Sequence, residues 1–250
     1  MNIFIAGGTS GIGFAIAVNY LNAGHRVGIC GRDTRKVRLD KDYPLLKMYQ
    51  LDVYDKKALD TAVSDFADDR LDIMIVSAGN YSDSSFRKLS YRESTDMLKV
   101  NIAGAVNAME IAREKMYRQQ RGHIAVITSV SGLLDYPKAT IYSKSKRALI
   151  QIADAYQAAL SGFGINVTII APGYVNTPKL RELNENDLSK KPFVVSCEYA
   201  ANIIIEGIEK KKDMIIFPSK MKYLIRFLSC LPSGLLSFIM QKKARWSQKR

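Results

Sequence analysis

Short apolar runs rich in β-branched residues recur along this chain, separated by longer stretches in which apolar positions return with helical period. The runs are NIFIA (2–6), RVGIC (26–30), LKMYQL (46–51), DIMIVS (72–77), HIAVITS (123–129), INVTII (165–170) and DMIIF (213–217). Each has strand length and strand composition. Helical stretches are predicted near 11–23, 55–67, 91–119, 140–162 and 196–211. Strand and helix in alternation give a doubly wound α/β fold, a seven-stranded parallel sheet with helices on both faces. The strands read as unbroken apolar runs rather than alternating ones, as expected when both faces of the sheet are covered.

With 250 residues the chain suits one domain and a tail. The composition shifts once, after Phe217, and the boundary is placed between 1–220 and a basic amphipathic tail, 221–250. In the tail Met221, Leu224, Ile225, Leu228 and Leu231 fall on one helical stripe, with Lys222 and Arg226 elsewhere on the wheel. Pro232 and Gly234 break that helix. A second apolar run, LLSFIM, then meets QKKARWSQKR, where Trp246 stands among cations. No apolar run reaches the ~20 residues a membrane span needs. The tail therefore suits a hairpin lying on an anionic membrane surface, with packing on the domain itself or on a second subunit as the alternative.

The net charge of +13 favours anionic partners, nucleotide phosphates or acidic lipids. Nucleic acid is not expected, because the basic run lacks an interleaved base-stacking surface. Cys30, Cys197 and Cys230 are widely spaced, and His25 and His123 both stand at strand entries. Neither a metal site nor Ser-His or Cys-His chemistry is suggested. The chain runs from Met1 into NIFIAGG without the marks of a secretory signal. The expected setting is cytoplasmic, or peripheral on the inner face of a membrane through the tail.

Two motifs carry chemistry. After the first strand, FIAGGTSGIGFAIA passes Gly7, Gly11 and Gly13 and enters a helix. Glycines at such a turn let the backbone approach a ligand closely, and the helix start presents free N–H groups to a pyrophosphate. In TIYSKSKRALI, Tyr142 and Lys146 lie one helical turn apart on one face. A nearby cation favours a phenolate, so the pair suits proton donation and acceptance.

With VSAG (76–79) after the fourth strand, Ser129 thirteen residues before Tyr142, and PGYVNT (172–177) after the sixth, the chain resembles the short-chain dehydrogenase/reductase family over residues 1 to about 217. The resemblance implies a Rossmann-like nucleotide-binding domain and a catalytic set of Asn101, Ser129, Tyr142 and Lys146. In that set Lys146 lies beneath Tyr142, supports its phenolate and also bonds the nicotinamide ribose. Ser129 orients the substrate oxygen, with Ser131 the weaker candidate, and Asn101 keeps a helix kinked and completes a proton relay. Gly7, Thr9, Ser10, Gly11, Ile12 and Gly13 are carried over to the cofactor phosphates, and Asp52 and Val53 to the adenine. Ala78 and Gly79 are carried over to the adenine ribose, and Pro172, Gly173, Val175 and Thr177 to the carboxamide. The sequence departs from the family pattern at Ala6, where Thr is usual, and at Ser77, where Asn is usual. Both changes remove turn-stabilising hydrogen bonds.

After the second strand comes CGRDTRK. Gly31 holds the place where an acidic residue would bind the ribose 2′-OH, and Arg32 follows it, so NADP(H) is favoured over NAD(H). Asp33 reads as the N-cap of TRKV. The implied activity is reduction of a ketone, lipid-like if the tail is a guide, to a secondary alcohol by hydride transfer with Tyr142 as general acid. The resemblance also implies a homo-oligomer, and the segment 179–196 is expected to form a lid. The alternative is a non-catalytic nucleotide-binding sensor or scaffold that kept the fold.

Overall fold

The computed structural model describes the backbone of residues 1–68, 70–81, 89–137 and 139–248, with side chains through Met240. The tail side chains of Lys242, Lys243, Arg245 and Trp246 lie outside the described residues. All seven expected strands form: β1 (Asn2–Ala6), β2 (Arg26–Gly31), β3 (Leu46–Gln50), β4 (Ile73–Val76), β5 (Gly122–Ile127), β6 (Ile165–Pro172) and β7 (Met214–Phe217). They pair in parallel in the order β3-β2-β1-β4-β5-β6-β7.

Along β1 successive side chains go to opposite layers. Phe4 and Ala6 join the core under α2 (Lys56–Ala67), α4 (Ala105–Gln119) and α5 (Ile141–Leu160). Ile3 and Ile5 join the core under α1 (Gly11–Asn22) and α7 (Cys197–Glu209). Both faces are thereby buried, which accounts for the unbroken apolar strands. Short helices α3 (Tyr91–Leu98) and α6 (Pro178–Glu182) complete the main body.

The stretch expected as one helix over 91–119 is interrupted. α3 starts on a capping box, in which Ser90 accepts from Glu93 N and the Glu93 carboxylate accepts from Ser90 N. It then widens into a π-helical turn, Lys99–Gly104, before α4. Such a turn adds a residue to the helical repeat and is frequent at functional sites. Here it turns Asn101 inward, fully buried.

The tail forms α8 (Ser219–Ser229) and α9 (Ser233–Gln248). Pro232 lies in the break between them, as expected, whereas Gly234 falls inside the first turn of α9 and breaks nothing. Met221 and Ile225 of α8 and Leu236 of α9 are buried in a third core with Val130, Leu134 and Ala171. One face of the tail therefore packs on the domain, the alternative that the sequence left open.

Chain order reverses between β2 and β4, the neighbours of β1. In sheets of this kind ligands bind at the carboxyl ends of the strands beside such a switch point.

Candidate active site

A cavity of about 520 Å³ opens at the carboxyl ends of the strands. It runs from the ends of β2 and β3, at Arg32 and Asp52, past β1 and β4 to β5, β6 and α8.

The β1–α1 loop forms its floor. Gly7 has φ +90°, and a side chain there would overlap the backbone of Ala78 in the turn after β4. A side chain on Gly13 would strike the Gly7 carbonyl, so α1 is held tight against the loop. The two turns are tied by main-chain bonds: Ser77 N and Ala78 N donate to Ala6 O at 2.8 and 2.7 Å, and Gly7 N and Gly8 N donate to Cys30 O. These bonds need no Thr at position 6 and no Asn at position 77. Ser10 precedes α1, exposed, with no bond from its side chain to the helix. The helix start thus offers unsatisfied N–H groups and a hydroxyl to an anion.

At the end of β2, a side chain on Gly31 would overlap Thr9. An acidic residue there would have to displace the Thr9 side chain. Arg32 is exposed and lines the cavity, and no ion pair or hydrogen bond engages it among the described residues. Asp33 is turned away. Its carboxylate caps a short turn by accepting from Arg35 N, and it holds the Arg35 guanidinium at 3.0 Å, which lowers its pKa. Asp52 stands after β3, with one carboxylate oxygen accepting from Tyr54 N at 3.0 Å, and beside it Val53 is buried against the π turn.

The four candidate catalytic residues converge. Ser129 leaves β5 and caps the following turn, and its oxygen accepts from Ser131 N and from the Ser131 hydroxyl at 3.0 Å. Ser131 therefore orients Ser129. Tyr142 lies in the first turn of α5, which Thr140 caps. Burial raises its pKa to about 12, against a hydrogen bond with Ser129 that pulls it down. Lys146, one turn on, is buried, and its ammonium donates to Ile127 O at 3.1 Å. Burial lowers its pKa to about 8. The mutual charge stabilisation expected from the Tyr142/Lys146 spacing does not set these values, because desolvation dominates at both residues. The phenol consequently stays protonated across the neutral range.

Asn101 knits this end together. Its carbonyl oxygen accepts from Asn80 N at 2.7 Å, and its amide donates to Asn80 O and to Ser145 Oγ. Ser145 in turn donates to Tyr142 O at 2.8 Å. The loop after β4, the π turn and the start of α5 thus form one hydrogen-bonded unit around Gly79, whose α-carbon faces Lys146 and Asn101.

On the β6 side Gly173 N donates to Phe217 O at 2.8 Å, which anchors the Pro172 turn. Thr177 caps α6 and leans on Gly11, while Val175 points into the core and pairs with Val195. Leu180 and Pro192 line the cavity, so the segment 179–196 supplies part of its wall.

Sequence reasoning missed the aromatic and apolar wall. The Tyr81 ring meets Tyr142 edge-on, with centroids 4.7 Å apart, and Tyr136 and Tyr174 line the same end. Met221, Ile225, Leu228 and Met240 from α8 and α9 complete it. Tyr174 stood inside the PGYVNT motif, which was its one visible signal.

A family model for short chain dehydrogenases matches residues 1–188. The chain belongs to the short chain dehydrogenase family. It is 31% identical over 204 residues to a 3-dehydrosphinganine reductase of Arabidopsis thaliana, covering 78% of this chain and 60% of that protein's length. It is 32% identical over 193 residues to an uncharacterized oxidoreductase of Staphylococcus aureus, covering 74% of this chain and 83% of that one. Its fold is that of a short chain dehydrogenase of Burkholderia cenocepacia solved with NADP, with a TM-score of 0.78 at 17% identity, covering 94% of this chain and 95% of that one. ElxO, solved with NADP bound, matches with a TM-score of 0.76 at 24% identity, covering 86% and 96%. The matched region, residues 1–188, contains the glycine loop, Ser129, Tyr142 and Lys146, while the wall built by α8 and α9 lies beyond it.

Proposed function

We propose that this member of the family is an NADPH-dependent carbonyl reductase that converts an apolar, lipid-like ketone to a secondary alcohol. The observation that carries this reading is the meeting of Ser129, Tyr142 and Lys146 at the polar centre of a cavity whose far end is aromatic and aliphatic, with Asn101 buried outside its lining and bonded to Asn80 and Ser145. The cradle fits a dinucleotide: the β1–α1 turn has no room for side chains at Gly7 and Gly13, and the start of α1 is uncapped. Arg32 would pair with the 2′-phosphate, and Asp52 and Val53 would meet the adenine. When bound, the reduced nicotinamide supplies the hydride.

The chain's own residues supply position and the proton. Ser129, oriented by Ser131, donates a hydrogen bond to the substrate oxygen. Tyr142 then transfers its phenolic proton to that oxygen as negative charge develops there. Lys146, while protonated, stabilises the resulting phenolate. Asn101 positions the Asn80 loop and α5 around this centre. Tyr81, Tyr136, Met221 and Ile225 receive the apolar body of the substrate, and the name of the Arabidopsis relative agrees with a long-chain ketone.

The test is NADPH oxidation by purified protein across sterol, long-chain acyl and small polar ketones. Turnover that rises with apolar chain length is expected. Tight NADPH binding with no turnover on any of them would contradict the proposal and favour the non-catalytic sensor.

A further inference from the structure

The inner sides of α8 and α9 are a wall of the cavity, but each helix also carries exposed apolar side chains. Tyr223, Phe227 and Phe238 are 68%, 65% and 63% exposed. Leu224, Leu235 and Ile239 are each more than a third exposed. Tyr223, Leu224 and Phe227 share one side of α8 by helical spacing, and Leu235, Phe238 and Ile239 share one side of α9. Exposed apolar side chains are ordinarily scattered singly, and a concentration of this kind marks an interaction surface.

Charge identifies the occupant. Every charged residue from Ser219 to Arg250 is Lys or Arg. Lys222 and Arg226 flank the apolar side of α8, exposed, and no acidic partner holds either of them among the described residues. An apolar face bordered by uncompensated cations complements an anionic bilayer surface. Among the described residues no helix is long and apolar enough to cross a membrane, so the contact lies in the interface plane. Leu224 joins the two faces, since it lines the cavity and is also 38% exposed.

We propose that the α8–α9 hairpin docks on an anionic lipid bilayer through this outer face. The apolar rim of the cavity is then held at the membrane, and a lipid ketone enters from the bilayer without crossing water. The docking stands on the hairpin alone, whereas delivery of a ketone rests on the reductase reading of the site.

The experiment is co-sedimentation of the full chain with phosphatidylcholine vesicles with and without phosphatidylserine, at low and high salt. Turnover is measured in parallel on a long-chain ketone presented in the vesicles and on a small soluble ketone. Wild-type protein should bind the anionic vesicles, and salt should weaken that binding in part. The double variant Phe227→Asp/Phe238→Asp should bind them roughly tenfold more weakly or worse, since two large apolar side chains are withdrawn. It should lose vesicle-presented turnover to a similar extent while keeping NADPH binding and soluble-ketone turnover. Lys222→Glu/Arg226→Glu should reduce the salt-sensitive part.

No binding by the wild type overturns the docking, as does binding that neither variant weakens. A fall in solution mass in the Phe variant with vesicle binding unchanged assigns the face to a second copy and also overturns it. Vesicle binding by a protein that reduces no ketone would retain the docking and remove only the delivery role.

Discussion

Arg32 stands on the cavity rim with no acidic residue engaging it among the described residues, one residue after a glycine whose replacement would displace the Thr9 side chain. Its guanidinium can pair with a 2′-phosphate but gains little from a 2′-hydroxyl. Arg32→Ala should therefore weaken NADPH roughly ten- to a hundredfold and leave NADH nearly unchanged in a fluorescence titration, and equal losses would make Arg32 structural. A second expectation concerns pH. The Tyr142 phenol stays protonated until about 12, whereas Lys146 loses its proton near 8 because burial disfavours its charge. Reduction needs the phenol protonated and the ammonium charged, so kcat/KM should be level at neutral pH and fall as pH rises through about 8. A profile flat to about pH 10, near the ordinary lysine value, would remove Lys146 from the proton chemistry. At this scale the sequence was informative wherever function depends on residues close in the chain: Tyr142 with Lys146, Arg32 after Gly31, and Asp33 as a cap. Tyr81 was not legible, because its contact with Tyr142 exists only once the β4 and β5 ends lie side by side.

Among the elements, the strands were legible because burial on both faces writes an uninterrupted apolar run. The π turn was not, because one added residue shifts the phase of a helical pattern without breaking it, and only the family resemblance pointed to a kink at Asn101. The tail helices were visible as an apolar stripe, but periodicity cannot tell what the stripe meets. Met221 and Ile225 meet Val130, Leu134 and Ala171, beside the turn that carries Ser129. Ile225→Ala opens a hole in that contact, and an Ile→Ala change in a core costs about 2–5 kcal/mol. The variant should unfold at lower denaturant and show a raised KM for long-chain ketones, with NADPH affinity little changed because no phosphate or ribose contact is proposed for α8. Unchanged stability and KM together would mean that α8 does not form the cavity wall in solution.

At the scale of the whole molecule, the sheet order brings the proposed dinucleotide-cradling loops after β1, β2 and β4 and the proposed proton-transfer residues after β5 and in α5 to one cavity. The fold class was legible from alternation of strand and helix alone. The fate of the tail was legible only as alternatives, since composition and periodicity after Phe217 suit membrane contact or packing on the domain, and the buried side chains of α8 and α9 show the inner face packed on the domain. The central claim is that Tyr142 delivers the proton in this cavity. It is tested most directly by pre-steady-state NADPH oxidation with a long-chain ketone, comparing the wild type with Tyr142→Phe, which keeps the ring against Tyr81 and removes only the hydroxyl. Loss of the proton donor should slow hydride transfer by ~100-fold or more with NADPH affinity retained. A rate within a few-fold of the wild type on the same ketone would contradict it.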